Sequence, residues 1–147
     1  LTFILIKNTT YTKSLIKFYE SIINSKYCFS CGSTCEITLR KFFEIPALGS
    51  LLILEPFNSE GKQMLESLGY LEDQNFISCK TENLVDKINE LENNKECASN
   101  IAYNGQKLVL RNHSSIARSD QIYKSLDAIS KGHFKGTLWE HGNFKLI

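Results

Sequence analysis

The sequence predicts an α/β protein with a parallel sheet of about four strands, flanked by helices and followed by a helical C-terminal part. Short apolar runs alternate along the chain with longer segments whose apolar residues recur at helical spacing. One run, at 51–54, has four consecutive apolar residues, which is typical of a parallel strand covered on both faces. Beyond residue 80 the helical period dominates. Together these patterns indicate a Rossmann-like architecture.

The strands of this sheet are predicted from the apolar runs, which lie at 1–7, 27–31, 51–54 and 76–79. Helices are predicted between and after them, at 12–24, 38–48, 61–68, 81–92, 94–111 and 115–131. Strands that alternate with helices in this way imply right-handed crossovers and a parallel sheet.

Turn and capping residues set the predicted helix ends. Thr81 and Asn94 are predicted to cap the helices that they begin. Pro46 should weaken the last turn of helix 38–48 because it lacks a backbone donor, and Gly49 should end it. In helix 115–131 a set of apolar residues shares one face, which is expected to be buried: Ile122, Leu126 and Ile129.

Length and charge restrict the class of protein. The chain has 147 residues, 42% of them apolar, which suits one globular domain over 1–147 with a short aromatic tail at 133–147. The net charge of +1 gives no field that would attract nucleic acid. No apolar run approaches the roughly 20 residues of a transmembrane segment, and no signal peptide is recognisable. We therefore expect a cytoplasmic protein, and an N-terminally truncated one because it begins with Leu1.

Five cysteines are scattered through the chain, and their odd number does not indicate a disulfide framework. Cys28 and Cys31 have the spacing of a redox or zinc half-site. A zinc site would need a second pair of ligands, and a thioredoxin-like motif would begin a helix, whereas these residues lie in a predicted strand. Free, partly buried thiols are the favoured interpretation, and a small thiol redox protein stays a minor alternative.

The end of the second predicted strand is the candidate ligand site, because open parallel sheets bind ligands at the carboxyl ends of their strands. Gly32 and Ser33 lie there, just before a helix, where backbone amides can contact a diphosphate. Arg40 and Glu44 are four residues apart and share a helix face, which Glu36 joins if the helix begins early. A guanidinium suits phosphate oxygens and a carboxylate suits sugar hydroxyls. The pair is equally compatible with an ordinary surface salt bridge.

The same region carries a resemblance to a known family. Residues 40–52 read RKFFEIPALGSLL: an aromatic-Glu step, a small residue, a glycine and then a buried strand. This segment resembles the signature of group 1 glycosyltransferase C-terminal domains, and most closely the spore-maturation-type branch. Segments 82–88, 101–105 and 113–118 resemble the family's later helices in the right order. The resemblance covers about residue 25 to the end.

The resemblance implies the donor-binding lobe of the two-lobed GT-B architecture, with a nucleotide-diphosphate sugar held between the lobes. Many members carry two glutamates separated by seven residues, and Glu36 and Glu44 have that spacing. By this resemblance Glu36 is the catalytic candidate at the transferring sugar, and Glu44 contacts the ribose. Gly32, Ser33 and Arg40 would complete the donor site.

The resemblance also implies what the chain lacks. The acceptor lobe would be a missing N-terminal partner, so this chain alone is expected to be inactive, and the full-length enzyme to be a hexosyltransferase. No cofactor or metal is expected, because no Asp-x-Asp motif is present to hold one.

A different class of function stays open beside this one. A non-catalytic Rossmann-like module that binds a nucleotide or a protein partner would have the same fold, with Glu44 used as a helix–helix contact. The donor hypothesis instead requires that the Glu44 carboxylate face an open groove.

Overall fold

A computed structural model describes residues 10–32 and 37–147. The helices of this part of the chain are α1 (Thr10–Ile23), α2 (Lys41–Ala47), α3 (Ser59–Ser67), α4 (Leu84–Asn93), α5 (Lys95–Leu108) and α6 (Ser115–Ser130). Its strands are β1 (Tyr27–Ser30), β2 (Leu51–Leu54), β3 (Ile77–Ser78), β4 (Thr137–Glu140) and β5 (Asn143–Leu146). A 3₁₀ turn, Thr81–Asn83, precedes α4, and a π-helical turn, Val109–His113, follows α5.

The first three strands form a parallel sheet in the order β1-β2-β3. Tyr27 pairs with Leu51, and Ile53 pairs with Ile77. The α/β class, the parallel sheet and the flanking helices are therefore confirmed. The described sheet has three strands, and the predicted strand at 1–7 lies outside the described residues.

Strand β2 forms the centre of the core, and all four of its side chains are buried. Successive side chains of a strand point to opposite faces. Leu52 and Leu54 accordingly pack in a cluster with side chains of α2 and α3, whereas Leu51 and Ile53 pack against α4 and α5. Each such burial contributes about 1.5–3 kcal/mol, so the apolar run at 51–54 fixes the two-sided covering of the sheet.

Helix α2 ends as predicted and begins later. Gly49 has φ +90°, a left-handed conformation that terminates the helix. The helix begins at Lys41 instead of at residue 38, and residues 37–39 before it have no regular secondary structure. The Thr38 hydroxyl donates to the Met64 sulfur at 2.9 Å, which ties this segment to α3.

Pro46 lies inside α2 and is accommodated by a tertiary hydrogen bond. It has no N–H to donate to the carbonyl of Phe42, four residues earlier. The hydroxyl of buried Tyr70 donates to that carbonyl instead, at 2.7 Å. The predicted weakness is thus offset by a group from another part of the chain.

The helix starts at Asn94 and Thr81 differ in outcome. The Asn94 side chain accepts from the backbone N–H of Cys97 and caps α5, which confirms the prediction. The prediction for Thr81 is wrong: Lys80 precedes the 3₁₀ turn, with no side-chain cap. The Thr81 hydroxyl instead donates to the Glu55 carboxylate at 2.6 Å, and the Thr81 backbone N–H donates to the same carboxylate. Glu55 directly follows β2, so these bonds tie the 3₁₀ turn to the end of that strand.

Helix α6 lies where it was predicted, but its apolar face is not buried. Ile122, Leu126 and Ile129 share a face that is 53–61% exposed, so the prediction of an inward stripe is wrong. The helix contacts the rest of the domain mainly through the π-helical turn at its start. Its helical period therefore marks an apolar face without a partner in the described chain.

The tail from 133 forms an antiparallel hairpin of β4 and β5, which was not predicted. His141 and Gly142 connect the strands with φ of 48° and 79°, the pattern of a two-residue hairpin turn. Gly142 lies against the end of α3, where a side chain would collide with the backbone of Gly69. Its N–H donates to the carbonyl of Ser67 at 2.9 Å, which fixes the hairpin to the domain.

A buried histidine completes the attachment of the hairpin. Arg118 donates to His113 Nδ1 at 3.0 Å, so the proton of the neutral ring lies on Nε2, which donates to the Leu68 carbonyl at 2.8 Å. The Arg118 guanidinium also lies over the Trp139 ring of β4, 4.2 Å from its centroid. The end of α3, the π-helical turn, α6 and the hairpin therefore meet at His113.

Candidate functional site

The carboxyl end of β1 holds the described part of the predicted donor site. Gly32 is buried just after this strand, and its carbonyl accepts from the N–H of Ile37 at 3.1 Å. This bond brings the segment before α2 back to the end of β1. Ser33 and Glu36, predicted as substrate-binding and catalytic, lie outside the described residues.

Arg40 and Glu44 come together at the start of α2, as their spacing predicts. Arg40 Nε lies 2.6 Å from Glu44 Oε1. The Arg40 side chain is 65% exposed and that of Glu44 only 17%. The guanidinium is therefore accessible from solvent, whereas the carboxylate lies mostly under its neighbours.

A third member of this cluster, Tyr19 of α1, was missed by sequence reasoning. Its hydroxyl donates to Glu44 Oε1 at 2.9 Å and accepts from Arg40 Nη2 at 3.3 Å. The hydrogen bond to Glu44 is the main cause that raises the pKa of Tyr19, and burial of the hydroxyl adds to it. A tyrosine on an otherwise aliphatic helix face is the signal that could have identified it.

The cluster restricts the chemistry that Glu44 can perform. One carboxylate oxygen, Oε1, is shared by Tyr19 and Arg40, which links α1 to α2. A carboxylate has a second oxygen with its own acceptor sites. Contact with a ligand hydroxyl would thus use Oε2, while Oε1 keeps the two helices in register.

A separate cleft of about 660 Å³ lies beside the carboxyl ends of β2 and β3. Glu55, which directly follows β2, and Lys80, which follows β3, both line it. Phe57 and Phe76 give it apolar walls, and further lysine and glutamate side chains surround it. Sequence reasoning missed Glu55, although its position directly after a buried strand was a sufficient signal. In the structure Glu55 holds the start of the 3₁₀ turn through Thr81.

Comparison with known proteins identifies the family. A family model described as "Glycosyl transferase-like" matches residues 9–124, which include the three described strands of the parallel sheet, Arg40 and Glu44. The chain belongs to this family. The match confirms the resemblance to group 1 glycosyltransferases and makes the chain a glycosyltransferase-type domain. No curated protein and no solved structure matches it significantly.

Cys28 and Cys31, which both lie in the described part of this glycosyltransferase-like domain, do not meet the conditions for a dithiol site. Cys28 is half-buried in the middle of β1 and packs against the core, and burial raises the pKa of its thiol. Cys31 is exposed beyond the end of the strand, and neither residue begins a helix. A reactive thiol needs a lowered pKa, so the geometry disfavours the redox alternative.

Within residues 10–32 and 37–147, no group of three or more His, Cys, Asp or Glu side chains is arranged to hold a metal ion. No helix in these ranges combines the length and apolarity that crossing a membrane requires.

Proposed function

We propose that this glycosyltransferase-like domain is a donor-binding lobe, and that it binds a nucleotide-diphosphate sugar beside the carboxyl end of β1. The observation that supports this most is the Arg40–Glu44 pair at the start of α2, within the segment matched by the family. Arg40 is the proposed phosphate contact and Glu44 the proposed ribose contact. Ser33 and Glu36 are proposed for the diphosphate and the sugar from the sequence alone.

The proposed mechanism requires little from this lobe beyond binding and charge stabilisation. When the sugar leaves, negative charge builds on the nucleoside diphosphate. Arg40 presents an exposed guanidinium, a group whose charge and geometry suit phosphate oxygens. A separate acceptor lobe would bind the acceptor substrate. We therefore propose that this chain binds the donor without transferring the sugar.

Isothermal titration with nucleoside diphosphates of each common base tests the proposal. We expect one of them to bind, and Glu44→Gln and Arg40→Gln to weaken binding at least about tenfold, or roughly 1.4 kcal/mol. Glu92→Gln is the matched control, because Glu92 forms a similar ion pair with Lys26 at the opposite end of β1, with the Glu92 side chain 33% exposed. The proposal fails if no nucleotide binds, or if the control variant loses as much affinity as Glu44→Gln.

The second candidate is a non-catalytic binding module, and the Tyr19–Glu44 hydrogen bond favours it. In that case Glu44 joins α1 to α2 and contacts no ligand. Tyr19→Phe distinguishes the two functions: the donor lobe keeps its nucleotide affinity, because Oε2 remains available. In the module, Glu44→Gln leaves any nucleotide affinity unchanged, and Tyr19→Phe and Glu44→Gln lower its free energy of unfolding by similar amounts.

A further inference from the structure

Helix α6 has its apolar face outward. Five large side chains along one side of it are 53–82% exposed. They occupy about 140° of the helix circumference, as expected for the buried face of an amphipathic helix. We call this surface the α6 stripe; its members are Ile116, Ile122, Tyr123, Leu126 and Ile129.

The opposite face of α6, turned toward the hairpin, is small and polar. Gln121 donates to the backbone carbonyl of Asn112, and Ser125 donates to the carbonyl of Gln121. Gln121 and Ser125 also line a shallow cleft beside Phe144 of β5, and two residues of the α6 stripe, Ile122 and Leu126, border the same cleft. The domain thus covers the polar side of the helix and leaves the apolar side to solvent. Contiguous exposed apolar surface of this kind marks an interaction site.

Charged residues along one edge of the α6 stripe indicate which partner fits. Asp120, Lys124, Asp127 and Lys131 alternate in sign, and all four are at least 42% exposed. Positions equidistant from the point between 125 and 126 carry opposite charges: Asp120 matches Lys131, and Lys124 matches Asp127. The same operation matches Ile122 with Ile129. The edge is therefore complementary to itself when a second copy runs in the opposite direction.

We propose that the α6 stripe binds a second copy of this chain, with the two α6 helices antiparallel about a two-fold axis near residues 125 and 126. A two-fold axis brings the same edge of both helices together, so each Asp120 faces a Lys131 and each Lys124 faces an Asp127. In a parallel two-fold arrangement the charged edges of the two helices would lie on opposite sides of the interface and could not pair. The apolar residues of the stripe then become the centre of an isologous interface.

Two variants with the same amino-acid composition test this register by sedimentation velocity. Asp120→Lys with Lys131→Asp preserves opposite charges across the antiparallel pair. Asp120→Lys with Lys124→Asp places like charges opposite each other at both positions. The wild-type chain and the first variant should associate to twice the 16.8 kDa monomer mass. The second variant should show a dissociation constant at least about tenfold higher.

If only the stability of the α6 helix itself mattered, the second variant would associate more tightly than the first. The two variants therefore distinguish contacts between chains from effects within the helix. The first variant loses both i,i+4 ion pairs of α6, Asp120–Lys124 and Asp127–Lys131, whereas the second keeps a pair of opposite charges at each. Circular dichroism confirms that both are folded. A wild-type chain that stays monomeric at every concentration overturns the proposal, because the partner is then something else. Equal association of the two variants, or the reverse order, also overturns it.

Discussion

Strand β2 of the parallel sheet and helix α6 both have an apolar pattern in the sequence, but only the side chains of β2 are buried. The side chains of β2 are 0–1% exposed, whereas those of the α6 stripe are 53–82% exposed. Strand β2 lies between helices on both faces, but α6 rests on the domain through its polar side. An apolar periodicity therefore predicts that a face will be buried, but it does not predict whether the same domain covers that face.

A matched pair of leucine truncations gives the largest expected contrast. Leu54→Ala should lower the free energy of unfolding by about 2–5 kcal/mol, because it leaves a cavity in the core. Leu126→Ala, on the exposed stripe, should change it by less than about 0.5 kcal/mol in the monomer. Urea denaturation at low protein concentration measures both. Similar losses would mean that α6 is buried in the domain after all.

The second contrast concerns the buried polar contact that supports the core. Tyr70→Phe removes the donor to the Phe42 carbonyl and should cost about 1–3 kcal/mol, because that carbonyl stays buried without its partner. Pro46→Ala restores the backbone N–H that donates to the Phe42 carbonyl in a regular helix. Urea denaturation should therefore show a smaller cost of Tyr70→Phe in the Pro46→Ala background. An unchanged cost would refute the link between these residues.

The attachment of the hairpin should respond to pH, with a smaller effect. Burial lowers the pKa of His113 below its usual value near 6.5, and the Arg118 charge adds to this. The unfolded chain then binds a proton more readily than the folded one. The stability that neutral His113 contributes is thus complete above pH 6.5 and is lost as the pH falls through the lower folded value. His113→Gln should reduce this dependence, as followed by Trp139 fluorescence; an unaltered pH profile would exclude His113.

The candidate site was predictable only where its residues are close in sequence. The four-residue spacing of Arg40 and Glu44 fixed their contact before any tertiary structure was known. Tyr19 reaches Glu44 from 25 residues away, and Glu55 reaches Thr81 from 26. No periodicity in the sequence encodes such pairs, since they depend on how α1 and β2 are placed relative to other elements.

Three local features were predictable from nearby residues alone: strand β2 from its apolar run, the start of α5 from Asn94 and the end of α2 from Gly49. Each depends on interactions within a few residues, which the chain carries wherever it is placed. Two other features follow from tertiary packing. Helix α6 has its apolar face toward solvent, and His113 and Gly142 attach the hairpin to the domain. Those outcomes depend on which surfaces compete for the same partner, and that competition is settled only when the whole domain packs.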